Sequence, residues 1–242
     1  ALIQDTTDNT LLSNLIKVYK PEYIYLPAKK SELQINCTIV HTFGDYTLLK
    51  TDHNVVYTLH ENLALLLTTS GSTGSPKFVR QSYKNINSNA EAIAQYLGIT
   101  SNDRPISTMP MSYTFMLSII NSHLLKGASI ILTDATLMDR RFWDEMRKNN
   151  ATTFGGVPYI YEMLKKLRFE YMNLSSLKYI TQAGGKLSMK LSAEIADICA
   201  NKGIKFYVMY GQTEATARMA YLPWEYVRTK VGSIGIAIPG GK

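Results

Sequence analysis

The chain has 242 residues, 45% of them hydrophobic and 19% charged, which is the ordinary balance of a soluble globular protein with room for one large or two smaller domains. Its formal net charge is +7, but the basic residues are scattered, which argues against a nucleic-acid stripe and suits polyanionic small molecules such as nucleotides. Cys37 and Cys199 lie far apart, His41, His53, His60 and His123 form no ligand pair at helical spacing, and no apolar run reaches membrane-span length or follows a secretory signal pattern. The expectation is a cytoplasmic protein with reduced thiols and neither nucleic-acid nor membrane partners.

Residues 9–19 carry apolar side chains at helical spacing (Leu11, Leu12, Leu15, Ile16, Tyr19), and Pro21 ends the run. Tyr23–Leu26 reads as a short strand. Residues 35–41 and 46–50 read as strands joined at Gly44-Asp45, and Val55–Tyr57 as a further one. Leu63–Leu67 is an apolar run of buried-strand type. A helix is expected from Ser82, a plausible N-cap, to Leu97, with Gly98 as its stop. Beyond it helices (114–125, 139–148, 158–167, 188–201) alternate with strands (106–109, 128–132, 152–154, 177–180, 206–209). That alternation predicts an α/β fold, a mostly parallel sheet layered with helices, in which ligands sit beyond the carboxyl ends of the strands. The division expected is 1–60, a β-rich partial region, and 61–242, the α/β core.

Three polar, glycine-containing stretches follow strands directly. The first is residues 68–77, Thr-Thr-Ser-Gly-Ser-Thr-Gly-Ser-Pro-Lys. Gly71 and Gly74 allow tight turns, and Thr69, Ser70, Ser72 and Thr73 add hydroxyls to the backbone N–H groups. Lys77 adds positive charge, so the loop suits a polyphosphate. It is not a Walker A loop, because Pro76 precedes the lysine and Phe78-Val79 follow it. The second is Tyr210-Gly211-Gln212-Thr213-Glu214, where Thr213 offers a hydroxyl to phosphate and Glu214 a hard carboxylate suited to Mg²⁺. Taken alone it also reads as a helix start. The third is Thr181-Gln182-Ala183-Gly184-Gly185-Lys186, whose glycines let a flat ligand lie against the backbone, or simply turn the chain.

Together these stretches resemble the AMP-forming adenylating superfamily of acyl-CoA synthetases, nonribosomal peptide synthetase adenylation domains and firefly luciferase. Thr152–Pro158 and the glycine turns at 231–240 agree with it. The resemblance implies two half-reactions: a carboxylate attacks the α-phosphate of ATP and expels pyrophosphate, and the acyl-adenylate then passes to a thiol, CoA or a carrier-protein pantetheine. It implies that Thr69, Ser70, Gly71, Ser72, Thr73, Gly74 and Lys77 hold the β- and γ-phosphates. Thr213 would meet the α-phosphate, Glu214 the Mg²⁺, and Gly184, Gly185 and Tyr210 the adenine, with Gly211 also among the nucleotide-binding residues. Tyr113, Gly155, Gly156 and Val157 would border the acyl pocket, and residues 110–118 contain no acid to pair an amino-acid ammonium.

The chain departs from the family pattern at both ends. Only 67 residues precede the Thr68–Lys77 stretch, and Pro239-Gly240-Gly241-Lys242 closes the chain before the family's ribose-binding aspartate and small C-terminal domain. The expectation is a large-domain fragment, weak or inactive alone, that depends on a C-terminal domain in cis or trans. Competing readings are carrier-protein loading, a non-catalytic ATP-binding module and a kinase or ATPase.

Overall fold

The computed structural model describes residues 1–30, 35–68 and 77–241. The chain divides into two compact units, Ala1–Arg80 and Gln81–Lys242.

The first unit opens with helix α1 (Asn9–Tyr19), started by the Asp8 carboxylate, which accepts from Leu11 N–H at 2.9 Å. Strands β1 (Tyr23–Pro27), β2 (Cys37–Phe43) and β3 (Tyr46–Thr51) form an antiparallel sheet in the order β1-β3-β2. Leu12, Ile16, Leu26 and Leu49 pack together as its core. Strand β4 (Leu63–Thr68) pairs with β5 (Phe78–Ser82). Residues 55–57 form no strand. Val56 is 95% exposed, so the segment has no apolar surface to pack on and nothing to hold it in a ladder.

The second unit is α/β. Helix α2 (Tyr83–Leu97) starts at a capping box between Ser82 and Asn85 and ends at Gly98 in the left-handed conformation. It is followed by α3 (Thr114–Leu125), α4 (Arg140–Lys148), β6 (Thr153–Gly156), α5 (Pro158–Lys166), β7 (Tyr179–Gln182), α6 (Met189–Asn201) and β8 (Lys205–Tyr210). Short strands β9 (Ala220–Leu222) and β10 (Ile236–Ala237) complete a sheet of order β10-β9-β8-β7-β6. β6, β7 and β8 are parallel, with Phe154 beside Ile180 and Ile180 beside Phe206. The strands expected at 106–109 and 128–132 are reduced to single parallel bridges, Pro105 to Thr153 and Ile106 to Ile131. Pro105 and Pro110 lack the N–H a longer ladder needs. β8–β9 and β9–β10, strands the sequence reading did not include, are antiparallel. No α-helix separates β8 from β9, and a parallel return needs a crossover of a dozen residues or more.

Successive residues of the parallel strands point to opposite faces. Phe154, Ile180 and Phe206 join one apolar cluster with residues of α5 and α6, and Tyr179, Tyr207 and Met209 join another with residues of α2 and α3. Among the described residues, no helix is long and apolar enough to cross a membrane.

Candidate active site

Beyond the carboxyl end of β8 the chain makes a short 3-10 turn, Thr213–Ala215. Two side chains from elsewhere fix it. Gln81 Nε2 donates to the Thr213 carbonyl at 2.8 Å, and the Thr213 hydroxyl lies 3.0 Å from the Thr114 hydroxyl at the start of α3. Glu214 is exposed and has no ion pair among the described residues. The following Thr216 and Ala217 have φ values of 61° and 92°, a left-handed conformation that costs a non-glycine residue about 1–3 kcal/mol. Ala217 is held there by its N–H bond to the Gln212 carbonyl, 3.2 Å, while Met219 N–H returns to Tyr210 at 2.8 Å to start the β8–β9 pair. Gly211 is obligatory here, because a Cβ on it would collide with the Ala217 carbonyl.

The ends of β6 and β7 supply a neighbouring wall. A Cβ on Gly155 would meet Ile119 at 2.7 Å and Phe115 and Thr181 at 3.0 Å. One on Gly156 would meet Ile160, one on Gly184 the Tyr113 hydroxyl and Val157, and one on Gly185 the Pro158 ring. Tyr113 and Val157 therefore both border Gly184, and Tyr113 immediately precedes the Thr114 that meets Thr213.

Behind this wall, between the sheet and α2–α3, lies a buried polar cluster. Arg218 is 2% exposed. Its Nε donates to Ser118 Oγ at 3.1 Å, its Nη1 to the Tyr96 hydroxyl at 3.0 Å, and its guanidinium carbon stands 5.1 Å from the centre of the Phe115 ring. His123 Nδ1 donates to the Ile119 carbonyl at 2.7 Å, which leaves Nε2 to accept from the Tyr179 hydroxyl at 3.0 Å. Burial, opposed by that carbonyl bond, lowers the His123 pKa from 6.5 to about 4, so the ring is neutral. Burial pushes the Tyr96, Tyr113, Tyr179 and Tyr207 phenols up, so all four are protonated at neutral pH.

Against known proteins, the model of the AMP-binding enzyme family matches residues 5–242. The chain belongs to this family. The 2-succinylbenzoate–CoA ligase of Enterococcus faecalis is 29% identical over 175 residues, covering 72% of this chain and 35% of the ligase. The chain thus spans about a third of the length of the curated relatives it matches. Among solved structures, o-succinylbenzoate CoA synthetase of Bacillus subtilis in complex with ATP and magnesium ion gives a TM-score of 0.64 at 25% identity, over 78% of this chain and 39% of that one. The N-terminal domain of FACL13 from Mycobacterium tuberculosis shares the fold, with a TM-score of 0.64 at 20% identity over 78% of this chain and 46% of that domain. The likeness fits the large N-terminal domain of adenylate-forming enzymes.

The residues the sequence singled out divide by location. Thr69, Ser70, Gly71, Ser72, Thr73 and Gly74 lie outside the described residues, and Lys77 is exposed in the first unit. Tyr113, Gly155, Gly156, Val157, Gly184, Gly185, Tyr210, Gly211, Thr213 and Glu214 all fall in the second unit, around the carboxyl ends of β6, β7 and β8. None of them lines the cleft of about 390 Å³ that Met109, Met111, Met116 and Leu132 form elsewhere on the unit. Sequence reading missed Gln81 and Thr114, which brace Thr213, and Arg218. The signal for Arg218 was a lone charge among the apolar residues Ala217, Met219 and Ala220, just past Glu214.

Proposed function

We propose that this chain carries the nucleotide and acid site of an enzyme that activates a carboxylic acid as its acyl-adenylate and passes the acyl group to the thiol of CoA. The observation that carries the reading is the fixed Thr213–Glu214 turn beyond β8, beside the glycine-lined ends of β6 and β7 and contiguous with Tyr113. The AMP-binding family match and the CoA-ligase relatives support it. In this reading residues 61–242 are the ATP-binding core and 1–60 a partial outer region.

The roles follow from the side chains. A carboxylate oxygen attacks the α-phosphorus, the bond to the bridging oxygen breaks, and pyrophosphate leaves. The thiol then attacks the acyl carbon and AMP departs. Catalysis of the first step is mostly positioning and charge neutralisation. Thr213 donates to the α-phosphate from a hydroxyl already oriented by Thr114. Thr69–Gly74 and Lys77 hold the departing phosphates. Tyr210, Gly211, Gly184 and Gly185 receive the adenine, and Tyr113, Gly155, Gly156 and Val157 the acyl group. Glu214, exposed and unpaired among the described residues, fits a cation that takes one or two carboxylates and completes its shell with phosphate oxygens. Such an Mg²⁺ supplies charge neutralisation.

The test is product identity with the full-length protein. Carboxylate-dependent release of AMP and pyrophosphate, with acyl-CoA formed when CoA is present, is expected. ADP as product, or turnover indifferent to carboxylate, overturns the reading. Lys77→Ala and Glu214→Gln are each expected to lower pyrophosphate release roughly 100-fold or more. Assayed by themselves, the 242 residues are expected to support only weak exchange.

A further inference from the structure

Unfavourable features cluster just after the Thr213–Glu214 turn. Thr216 and Ala217 carry φ values of 61° and 92°, a conformation that a β-branched threonine seldom takes. The next residue, Arg218, is a buried cation with no carboxylate within ion-pair distance among the described residues. Arginine cannot shed its proton, so a full charge stays in a low-dielectric layer. Asn89, whose Nδ2 donates to the Arg218 carbonyl at 2.8 Å, leaves its own Oδ1 buried with no hydrogen-bond partner among the described residues. Backbone strain of this kind persists only where the surroundings over-determine it, and it gathers where a segment must be kept in one place.

Arg218 supplies that constraint through both its backbone and its side chain. From α2, Asn89 holds its carbonyl, and the Tyr96 hydroxyl accepts from Nη1 at 3.0 Å. Asn89 and Tyr96 are seven residues apart, about two turns along one face of the helix. From α3, Ser118 Oγ accepts from Nε at 3.1 Å, and the Phe115 ring lies under the guanidinium. The same helix holds the other end of the segment, because the Thr114 hydroxyl meets the Thr213 hydroxyl. Thr114 and Ser118 are neighbours on one face of α3, about one turn and a rise of roughly 6 Å apart. The helix therefore sets the separation of Thr213 from Arg218, with Glu214 and the left-handed Thr216–Ala217 pair in the span between. An apolar side chain at 218 would fill the space without fixing a direction, whereas the guanidinium donates along fixed lines.

We propose that Arg218 is a positioning residue for acid activation: gripped by Asn89, Tyr96 and Ser118, it keeps the Thr216–Ala217 backbone left-handed and so holds Thr213 and Glu214 where the nucleotide and its cation meet them. This rests on the acid-activating reading above and adds to it the residues that act on the turn from behind. Arg218 touches neither substrate nor reacting atoms. Its buried charge lowers the stability of the fold and fixes the geometry of the site.

The experiment takes three readings on the full-length protein: chemical denaturation, hydrogen exchange of peptides covering residues 211–219, and MgATP affinity by titration calorimetry. Arg218→Met is expected to raise the denaturation midpoint, because it removes a buried charge. It is nevertheless expected to speed exchange in the 211–219 peptides and to weaken MgATP binding about 10- to 100-fold, the range for lost hydrogen bonds of a charged group. Arg218→Lys keeps the charge without the fork and is expected to fall between the two. A residue that only filled space would move exchange and affinity in step with stability. Unchanged exchange and affinity in Arg218→Met overturn the proposal, as does faster exchange across the whole chain with a lowered midpoint. Should Arg218→Met not fold, Asn89→Leu, which removes the grip on the Arg218 carbonyl, decides by the same exchange and affinity readings. A parent protein that binds no MgATP defeats the acid-activating reading and this proposal with it; MgATP binding indifferent to Arg218→Met defeats only this proposal.

Discussion

The β6–β8 sheet presents Phe154, Ile180 and Phe206 to α5 and α6, and Gly155, Tyr179, Tyr207 and Met209 to α2 and α3. The first face is carbon packed on carbon. Its polar exceptions include the Cys199 thiol, which burial pushes up to about 12, the buried Ser192 hydroxyl on α6, and the Tyr161 hydroxyl, buried with no hydrogen-bond partner. The second face buries Ser118, Ser122, His123 and Arg218, each with a named hydrogen-bond partner. One face thus maximises transfer of apolar surface from water. The other gives up part of that gain to keep polar groups in fixed places; of the proposed site residues Tyr113 and Gly155 lie on it, while Gly156, Val157 and Gly185 border α5 on the first.

The largest effect that should separate the faces is on the apolar side. Phe154→Ala empties a fully buried ring position and is expected to cost about 3–5 kcal/mol in chemical denaturation, while any folded fraction keeps its preference among acids. The next lies with His123. Its folded pKa, about 4, is below its ordinary 6.5, so the unfolded chain takes up the proton first. The stabilisation from burying the neutral ring is full above pH 6.5, declines as pH falls from 6.5 towards 4, and levels off below that. The swing is on the order of 3 kcal/mol, and in denaturation curves across that range His123→Gln should lose it. Arg218→Met should go the other way and raise stability by about 1–3 kcal/mol, because it removes an unpaired buried charge. The partners stay satisfied: Ser118 still reaches the Phe115 carbonyl and Tyr96 the Met209 sulfur. A fall in stability with Arg218→Met would erase the distinction between the faces. Smallest is Tyr161→Phe, expected to gain about 1 kcal/mol by deleting an unsatisfied hydroxyl.

Much of this architecture was legible in the sequence where the signal is local. Helix α1 begins and ends where periodicity and Pro21 place it, and Ser82 and Gly98 bound α2 through a cap and a left-handed glycine. The strand-end glycines fell where the alternation of elements put them. What resisted reading depends on distant partners. The apolar runs at 106–109 and 128–132 look like strands, yet Pro105 and Pro110 bound the first and the Ser107 hydroxyl takes the Thr133 N–H and carbonyl that a longer ladder between them would use. β9 and β10 exist only because the chain turns back after β8. Arg218 reads as a surface charge until Tyr96, Ser118 and Phe115 close over it, and no local pattern reports that closure. The Thr216–Ala217 backbone is likewise invisible in residues that ordinarily avoid such φ values.

The reach of Arg218 also sets an order of assembly. Its bonds to Ser118 and Tyr96 span 100 and 122 residues of chain. On a ribosome α2 and α3 emerge long before β7, β8 and Arg218 exist to cover them. At about 5–20 residues per second the exposed apolar stripe of α3 waits on the order of ten seconds for its lid. The interval is a window in which a holding chaperone has something to grip, and it closes only when the last charged residue of the layer has been made.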